Sequence, residues 1–410
     1  MCLYSFGIAA YTAAIKAVAP WKPKARKWVE GRRGIFERLE ATVGKSDRPV
    51  VWIHASSLGE FEQGRPVIEM IHERYPEYRI LLTFFSPSGY EIRKDFAAAD
   101  WVFYLPADTP HNVRRFLDIV KPAFAVFVKY DYWLNYLKEL KRRKIQTYIF
   151  SSLFRRNSIF FKPWGWMFRR ALTTFELIFV QNEESKSLLA EIGFDNVIVA
   201  GDTRFDRAAA LPAQAMRFPL IEQFKGKDRL FIVGSSWRPD EDLLVPFVNA
   251  HPDVKLIIAP HEMEEPRIHR LISECTGGVV RYSECRTESD VERARVLIID
   301  VIGILNQLYQ YADWVYIGGG FGVCIHNTQE PATYGAPIAF GPKYHKFKEA
   351  CDMIALGACR SVTTTEELEE WFAPLKADEK RRAHAARIAA DYIAANKGAT
   401  ELIVRTIFEG

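Results

Sequence analysis

The chain has 410 residues, 49% hydrophobic and 26% charged, which is the composition of a folded protein too long for one ordinary core, so about two domains are expected. A net charge of +4 gives no argument for nucleic acid, and none is expected as a partner. The six cysteines (Cys2, Cys275, Cys285, Cys324, Cys351, Cys359) have no CxxC spacing, which excludes the usual zinc and thioredoxin patterns and leaves free thiols in a reducing cytosol.

Residues 1–40 come first. Cys2 to Ile15 is an uncharged, mostly apolar run, followed by Lys16, Lys22, Lys24, Arg26, Lys27, Arg32 and Arg33. A signal peptide carries its charges before the apolar run, and a spanning helix wants about 20 apolar residues. The pattern predicts an amphipathic or shallow anchor with a basic collar on the cytoplasmic leaflet of a membrane. The competing reading is a helix packed on its own domain.

From residue 50 the chain alternates short β-rich runs with helical stretches. Strands are expected over Pro49–His54, Arg79–Phe85, Trp101–Leu105, Phe124–Val128, Gln146–Phe150, Leu177–Val180 and Val197–Ala200. The rhythm restarts after Leu211-Pro212, with Leu230–Val233, Lys255–Ala259, Val296–Ile299, Trp314–Ile317 and Pro337–Phe340. Continuous apolar strands separated by helices predict parallel sheets covered on both faces. The fold class is α/β: two doubly wound Rossmann-like domains, over 41–211 and 212–410. The Ala-rich, charged stretch Thr364–Phe408 is helical and either caps the second domain or crosses back to the first.

Ligands of such domains lie at the carboxyl ends of strands, so the motifs there carry the chemistry. Ser57-Leu58-Gly59-Glu60 follows the first strand. Ser57 and Glu60 have the spacing of a capping box, and Glu60 is alternatively a general base. Thr83 to Gly89, with Ser86, and Leu105-Pro106-Ala107-Asp108 follow the next two strands. Gly201 to Asp206 closes the first domain and brings Arg204 beside the cleft. Gly234-Ser235-Ser236 opens the second domain with a possible phosphate cradle. Gly318-Gly319-Gly320 leads through Gly322 to His326-Asn327-Thr328-Gln329-Glu330-Pro331. Here glycines permit close backbone approach to a phosphate, and a helix is expected to begin near Asn327. Glu330 is placed to accept ribose hydroxyls, or is a solvated first-turn acid. A dinucleotide fingerprint fails, because its third glycine falls on Val323.

In series, these motifs resemble the 3-deoxy-D-manno-octulosonic acid (Kdo) transferases of glycosyltransferase family 30 over nearly the whole chain. The resemblance implies a GT-B fold, with acceptor on the N-terminal domain and CMP-Kdo on the C-terminal one. It implies an inverting, metal-independent transfer of Kdo to the lipid A precursor in lipopolysaccharide inner-core synthesis, without a cofactor. Glu60 maps to the catalytic base. Donor contacts map to Arg204, Ser235, Ser236, His261, Gly318, Gly319, Gly320, Asn327 and Glu330. Acceptor contacts map to Ser57, Gly59, Thr83, Ser86 and Lys129. Two rivals remain: a GT-B transferase with another sugar nucleotide or lipid acceptor, and a non-catalytic nucleotide-sugar-binding homologue.

Three departures stand out. The family's Glu-x-Glu-x-Trp-Pro-Asn reads Lys129-Tyr130-Asp131-Tyr132-Trp133-Leu134-Asn135, so a carboxylate has become Lys129. The expected Pro-Arg-His reads Ala259-Pro260-His261, without the arginine. Asn-x-Arg reads Ser151-Ser152-Leu153.

Overall fold

In the computed structural model, which describes residues 2–410, Met1 of the expected anchor lies outside the described residues. The chain divides into two units, residues 1–206 with 397–410, and residues 207–396.

The first unit holds seven strands: β1 (Val50–Ala55), β2 (Arg79–Phe84), β3 (Trp101–Tyr104), β4 (Phe124–Val128), β5 (Gln146–Ser152), β6 (Leu177–Val180) and β7 (Val197–Val199). They form one sheet in the order β3-β2-β1-β4-β5-β6-β7, every pairing parallel. Side chains alternate across a strand, and β1 uses both faces. Val50 and Trp52 enter one core with Leu81, Phe116 and Phe127, whereas Val51, Ile53 and Ala55 enter the other with Phe61, Ile68 and Phe84. That is why the strands read as unbroken apolar runs. The last helix, Ala399–Glu409, packs on the second of these cores through Ile403 and Val404, and Phe408 stacks on Tyr75 at 3.8 Å. Asp206 fixes its start, accepting from the Thr400 amide and hydroxyl at 2.8 Å each.

The second unit repeats the architecture with β8 (Arg229–Ser236), β9 (Val254–Pro260), β10 (Val279–Arg281), β11 (Val296–Ile298), β12 (Trp314–Ile317), β13 (Ile338–Phe340) and β14 (Cys359–Ser361). Their order is β10-β11-β9-β8-β12-β13-β14, again all parallel. The sequence reading finds five of these and misses β10 and β14. Both are three-residue edge strands, too short to show a period and half-exposed along most of their length.

The N-terminal helix spans Cys2–Val18. Its inner stripe touches the first unit: the Tyr4 hydroxyl donates to Asp108 Oδ2 at 2.7 Å, and Tyr11 stacks on Phe85. Asp108 is buried and also accepts the Asn135 and Tyr136 amides at 3.1 and 3.0 Å. Burial pushes its carboxyl up to about 6 against those bonds. The outer face leaves Leu3 84% and Phe6 72% exposed, and Trp21, in the turn after the helix, is 77% exposed. The helix therefore packs on its own unit with one side and offers apolar side chains with the other. Arg32, expected in the basic collar, turns inward instead. It donates to the carbonyls of Leu105, Phe85 and Trp28 and lies 3.8 Å from the Trp28 ring centroid, and burial lowers its pKa to about 9. Among the described residues, no helix is long and apolar enough to cross a membrane.

Candidate active site

In the first unit the candidate residues collect beyond the carboxyl ends of β1, β4 and β7. Glu60 sits in the first turn of the helix Leu58–Arg74 and accepts the Ser57 hydroxyl at 2.9 Å. Ser57 makes no capping hydrogen bond to the helix backbone, so the reciprocal capping box is absent and Ser57 serves the carboxylate. Burial raises the Glu60 pKa, opposed by the Ser57 hydroxyl, nearby amides and the Lys129 ammonium. The desolvation needed to offset a helix N-terminus is thus supplied by the protein itself. Gly59, in the same turn, faces open space: a Cβ there would meet nothing within 4 Å.

Beneath Glu60 lies a network that sequence reasoning did not assign. Buried Asp131 accepts the Ser56 amide at 2.9 Å and the Ser56 hydroxyl, and its pKa is raised by burial and by Glu60. His54 lies 3.7 Å from Asp131, yet it is no ion pair. The Trp133 indole, which can only donate, gives its N–H to His54 Nε2 at 3.0 Å, so that nitrogen carries no proton. His54 Nδ1–H then donates to Thr83 Oγ1 at 2.9 Å, and burial holds the imidazole neutral with a pKa near 3. Thr83 also accepts the Trp52 indole at 2.8 Å. Thr83, expected among acceptor contacts, is fully buried and supports His54 instead. Ser86 is half-exposed; its amide donates to the Ser56 carbonyl at 2.7 Å, joining the loops after β1 and β2.

Lys129 follows β4 with φ 68° and Ser151, in β5, has φ 55°. Left-handed backbone is costly for such residues and concentrates where side chains are being aimed. Burial and the neighbouring Arg204 lower the Lys129 pKa, while Asp202 and Glu60 raise it. Arg204 donates to Asp202 at 2.6 and 2.9 Å. Its loop is tied down by the Thr203 hydroxyl, which donates to the Gln63 carbonyl at 2.6 Å and contacts Ser151 Oγ at 3.2 Å. Glu60, Lys129, Asp202 and Arg204 therefore form one electrostatic group.

In the second unit, Ser235 has φ 54° where the β8–β9 register shifts, the same device as at Ser151. Ser236 is buried and donates to Glu241 at 2.8 Å, so its hydroxyl builds the turn and is not offered to a ligand. Glu241 is neutralised by Arg267 at 2.8 Å and by Arg270. The glycine run packs closely against neighbouring backbone. A Cβ on Gly318 would lie 2.3 Å from the Ser235 carbonyl oxygen, and one on Gly320 would lie 2.6 Å from Gly341 Cα. Two amides of the expected cradle are already committed, Gly318 to the Gly234 carbonyl and Gly319 to Asp240, both at 2.9 Å.

Asp240 was not foreseen. It accepts the amides of Gly319 and Trp237 at 2.9 and 2.8 Å and the Tyr316 hydroxyl at 3.0 Å, locking the loops after β8 and β12 together. An acid three residues beyond Trp237, at the start of the helix Arg238–Ala250, was the available signal. Trp237, His261 and His326 form a stack, with ring centroids 4.7 and 4.4 Å apart, and the Trp237 indole donates to His326 Nε2 at 3.1 Å. Burial and His261 push His326 down to about 4, so both rings can stack without charge repulsion. His261 is exposed at the rim. The helix expected near Asn327 begins at Gln329 and is five residues long, Asn327 Oδ1 accepting the Gln329 amide at 2.8 Å. Glu330 is half-buried; desolvation raises its pKa, against Arg207 and Asn327. It is no solvated first-turn acid.

Two doubly wound units of this kind define the GT-B class of two-Rossmann-domain proteins. UDP-GlcNAc 2-epimerase from Neisseria meningitidis shares the fold with a TM-score of 0.62 at 15% identity, covering 88% of this chain and 100% of that one. MurG of Acinetobacter baumannii does so with a TM-score of 0.55 at 13% identity, covering 88% and 100%. The family model described as 3-deoxy-D-manno-octulosonic-acid transferase matches residues 32–207. Relatives named 3-deoxy-D-manno-octulosonic acid transferase are 26% identical in Bordetella pertussis, over 96% of this chain and 97% of that one, and 25% identical in Aquifex aeolicus, over 82% and 91%. Another, in Chlamydia trachomatis serovar D, is 25% identical over 73% of this chain and 71% of its own. Over residues 32–207 the chain matches this transferase family, and its similarity to relatives of that name extends over most of its length.

Proposed function

We propose that the protein transfers Kdo from CMP-Kdo to a lipid A precursor presented at the cytoplasmic face of the inner membrane. The observation that carries the reading is Glu60: a carboxylate at the end of β1, desolvated by the protein, with Lys129 and Arg204 in the same electrostatic group. Ionised Glu60 takes the proton of an acceptor hydroxyl. The resulting oxygen attacks the anomeric carbon, and the carbon–oxygen bond to the cytidylate breaks with its electron pair leaving on phosphate. Ser57 orients Glu60, Gly59 shares its helical turn, and Ser86 lies on the loop after β2 that is joined to the Ser56 carbonyl. Lys129 and Arg204, the latter paired with Asp202, are the cations grouped with Glu60.

In the second unit we assign the nucleotide to the loops after β8, β9 and β12. Gly318 and Gly319, through packing and committed amides, and Ser236, through its hydroxyl bond to Glu241, shape that surface, whereas Ser235, Gly320, His261, Asn327 and Glu330 are the candidates to meet the ligand. Glu330, half-buried beside Arg207 and Asn327, suits hydroxyls of a ribose. The exposed apolar face of the helix Cys2–Val18 fits the membrane-borne acceptor.

Incubating the purified chain with CMP-Kdo and lipid A precursor, then weighing the lipid product, tests the reading. A mass gain of one or more Kdo units is expected. No gain, together with thermal stabilisation by a uridine nucleotide in preference to CMP, would overturn it.

The pH profile gives a second check. A base must be ionised, so kcat/KM falls as pH drops through the pKa of Glu60. Lys129 lowers that pKa, and Lys129→Ala is expected to move the acid limb to higher pH. A limb that stays put or moves down would remove Lys129 from this role.

A further inference from the structure

A second surface of the first unit is built from cations and exposed tryptophans, none of them among the residues grouped around Glu60. A cavity of 490 Å³ lies between the helix Leu134–Arg142 and the helix Trp166–Leu172, lined by Lys138, Lys141, Arg142, Arg170, Trp166 and Met167. Arg142 is paired with Glu139 at 2.6 Å, and Lys141 donates to the Thr173 carbonyl and hydroxyl. Lys138 and Arg170 are exposed and make no ion pair among the described residues. At its edge Trp164 is 69% and Trp166 55% exposed.

That exposure is built in. Gly165, between the two tryptophans, is buried so tightly that a Cβ would come within 1.9 Å of the Ile159 carbonyl oxygen. Arg169 pins the same loop by donating to the carbonyls of Phe160 and Lys162 at 2.8 Å each. With the small residue inside and the guanidinium holding the turn, Trp164 and Trp166 are held outward by a rigid frame. Two fixed, solvent-facing indoles beside a cationic hollow combine the amphipathic rings and the positive charge that favour the headgroup region of an anionic bilayer. The N-terminal helix touches one of the two helices that frame the hollow. Ser5 donates to Asn135 Oδ1 at 3.2 Å, at the start of the helix that carries Lys138 and Lys141.

We propose that Trp164, Trp166, Lys138 and Arg170 form a second docking site for the anionic lipid surface, the hollow between them receiving a lipid phosphate headgroup. It rests on the reading that the acceptor is membrane-borne. Two contacts, the N-terminal helix and this loop, orient the unit on the bilayer where one helix alone would leave it free to rotate.

The test is flotation of the full chain with phosphatidylcholine vesicles, with and without a third of phosphatidylglycerol. The pair Lys138→Glu and Arg170→Glu is expected to weaken binding to anionic vesicles about tenfold or more and to leave neutral vesicles unaffected. The pair Trp164→Ala and Trp166→Ala is expected to weaken both. Because the second pair risks the loop, Trp164→Phe with Trp166→Phe keeps the aromatic bulk and is read by quenching of tryptophan fluorescence by brominated lipid, which is expected to drop. Anionic-vesicle binding that is the same in the charge variant as in the parent would overturn the proposal. So would release of the parent by inorganic phosphate beyond that caused by chloride at equal ionic strength, which would mark a small-anion pocket. Transfer to a detergent-dispersed acceptor is measured on the same variants and is expected to be unchanged. If the parent itself transfers nothing while vesicle binding still follows the patch, the transferase reading fails alone; intact transfer with patch-independent binding sinks only the docking site.

Discussion

Glu60→Gln is expected to lower kcat for Kdo transfer about 10³-fold, within the roughly 10²–10⁴ that general base catalysis contributes. Glutamine keeps the shape and can still accept the Ser57 hydroxyl, so the loop stays in place; what disappears is the ability to take a proton. Stabilisation of the protein by CMP is therefore expected to persist, since the residues assigned to the nucleotide lie on the second unit. A stability measurement adds an independent check. The folded-state pKa of Glu60 is raised, so the favourable contribution is present below the unfolded pKa and is lost as pH rises through the folded one. Ionised Glu60 is thus a cost to the fold at neutral pH. The glutamine variant is expected to melt no lower than the parent there, with any advantage fading toward pH values where the parent's carboxyl is protonated. Parental turnover in Glu60→Gln would end the assignment of the base. A large drop in melting temperature would show the side chain to be structural.

Asp240→Ala is the second large effect, and it works by position alone. The alanine leaves the Gly319 and Trp237 amides without their buried acceptor, each worth about 1–3 kcal/mol. Both loops of the proposed nucleotide surface lose their common anchor. Donor affinity is expected to fall about 10²-fold, the equivalent of about 2.7 kcal/mol at about 1.4 kcal/mol per decade. Asp240→Asn separates geometry from charge. Its carbonyl oxygen can accept both amides while its NH2 group donates to the Tyr316 oxygen, so affinity is expected within about threefold of the parent. Isothermal titration with CMP on both variants reads this directly. An asparagine variant as weak as the alanine one would mean that the negative charge matters, and the positioning role would be withdrawn.

Much of the fold was legible because the physics is local. All seven strands of the first sheet and five of the second appear as apolar runs ended by turn residues, and the restart after Leu211 marks a second series of strands and helices. The missed strands β10 and β14 have three residues each, and their order at the sheet edges is set by tertiary pairing that no short window contains. The site divides the same way. The turns after β1, β8 and β12 were found as motifs, since glycine, serine and acid at a strand end leave a signature. What those residues do there was not readable. Thr83 resembles an offered hydroxyl until Trp52 and His54 are seen to occupy it, and Gly318 and Gly319 resemble free amides until Gly234 and Asp240 are seen to accept them.

The sequence by itself determined the class of fold, the place of Glu60 after a buried strand, and the apolar helix with its basic neighbours, because periodicity and spacing are properties of neighbouring residues. Only the tertiary structure decided the chemistry of those groups: that Glu60 is desolvated, that His54 is neutral, that Arg32 faces inward and that Trp164 and Trp166 face out. Desolvation, charge coupling and hydrogen-bond partnership depend on residues far apart in the chain, and they exist only once the sheet has brought those residues together.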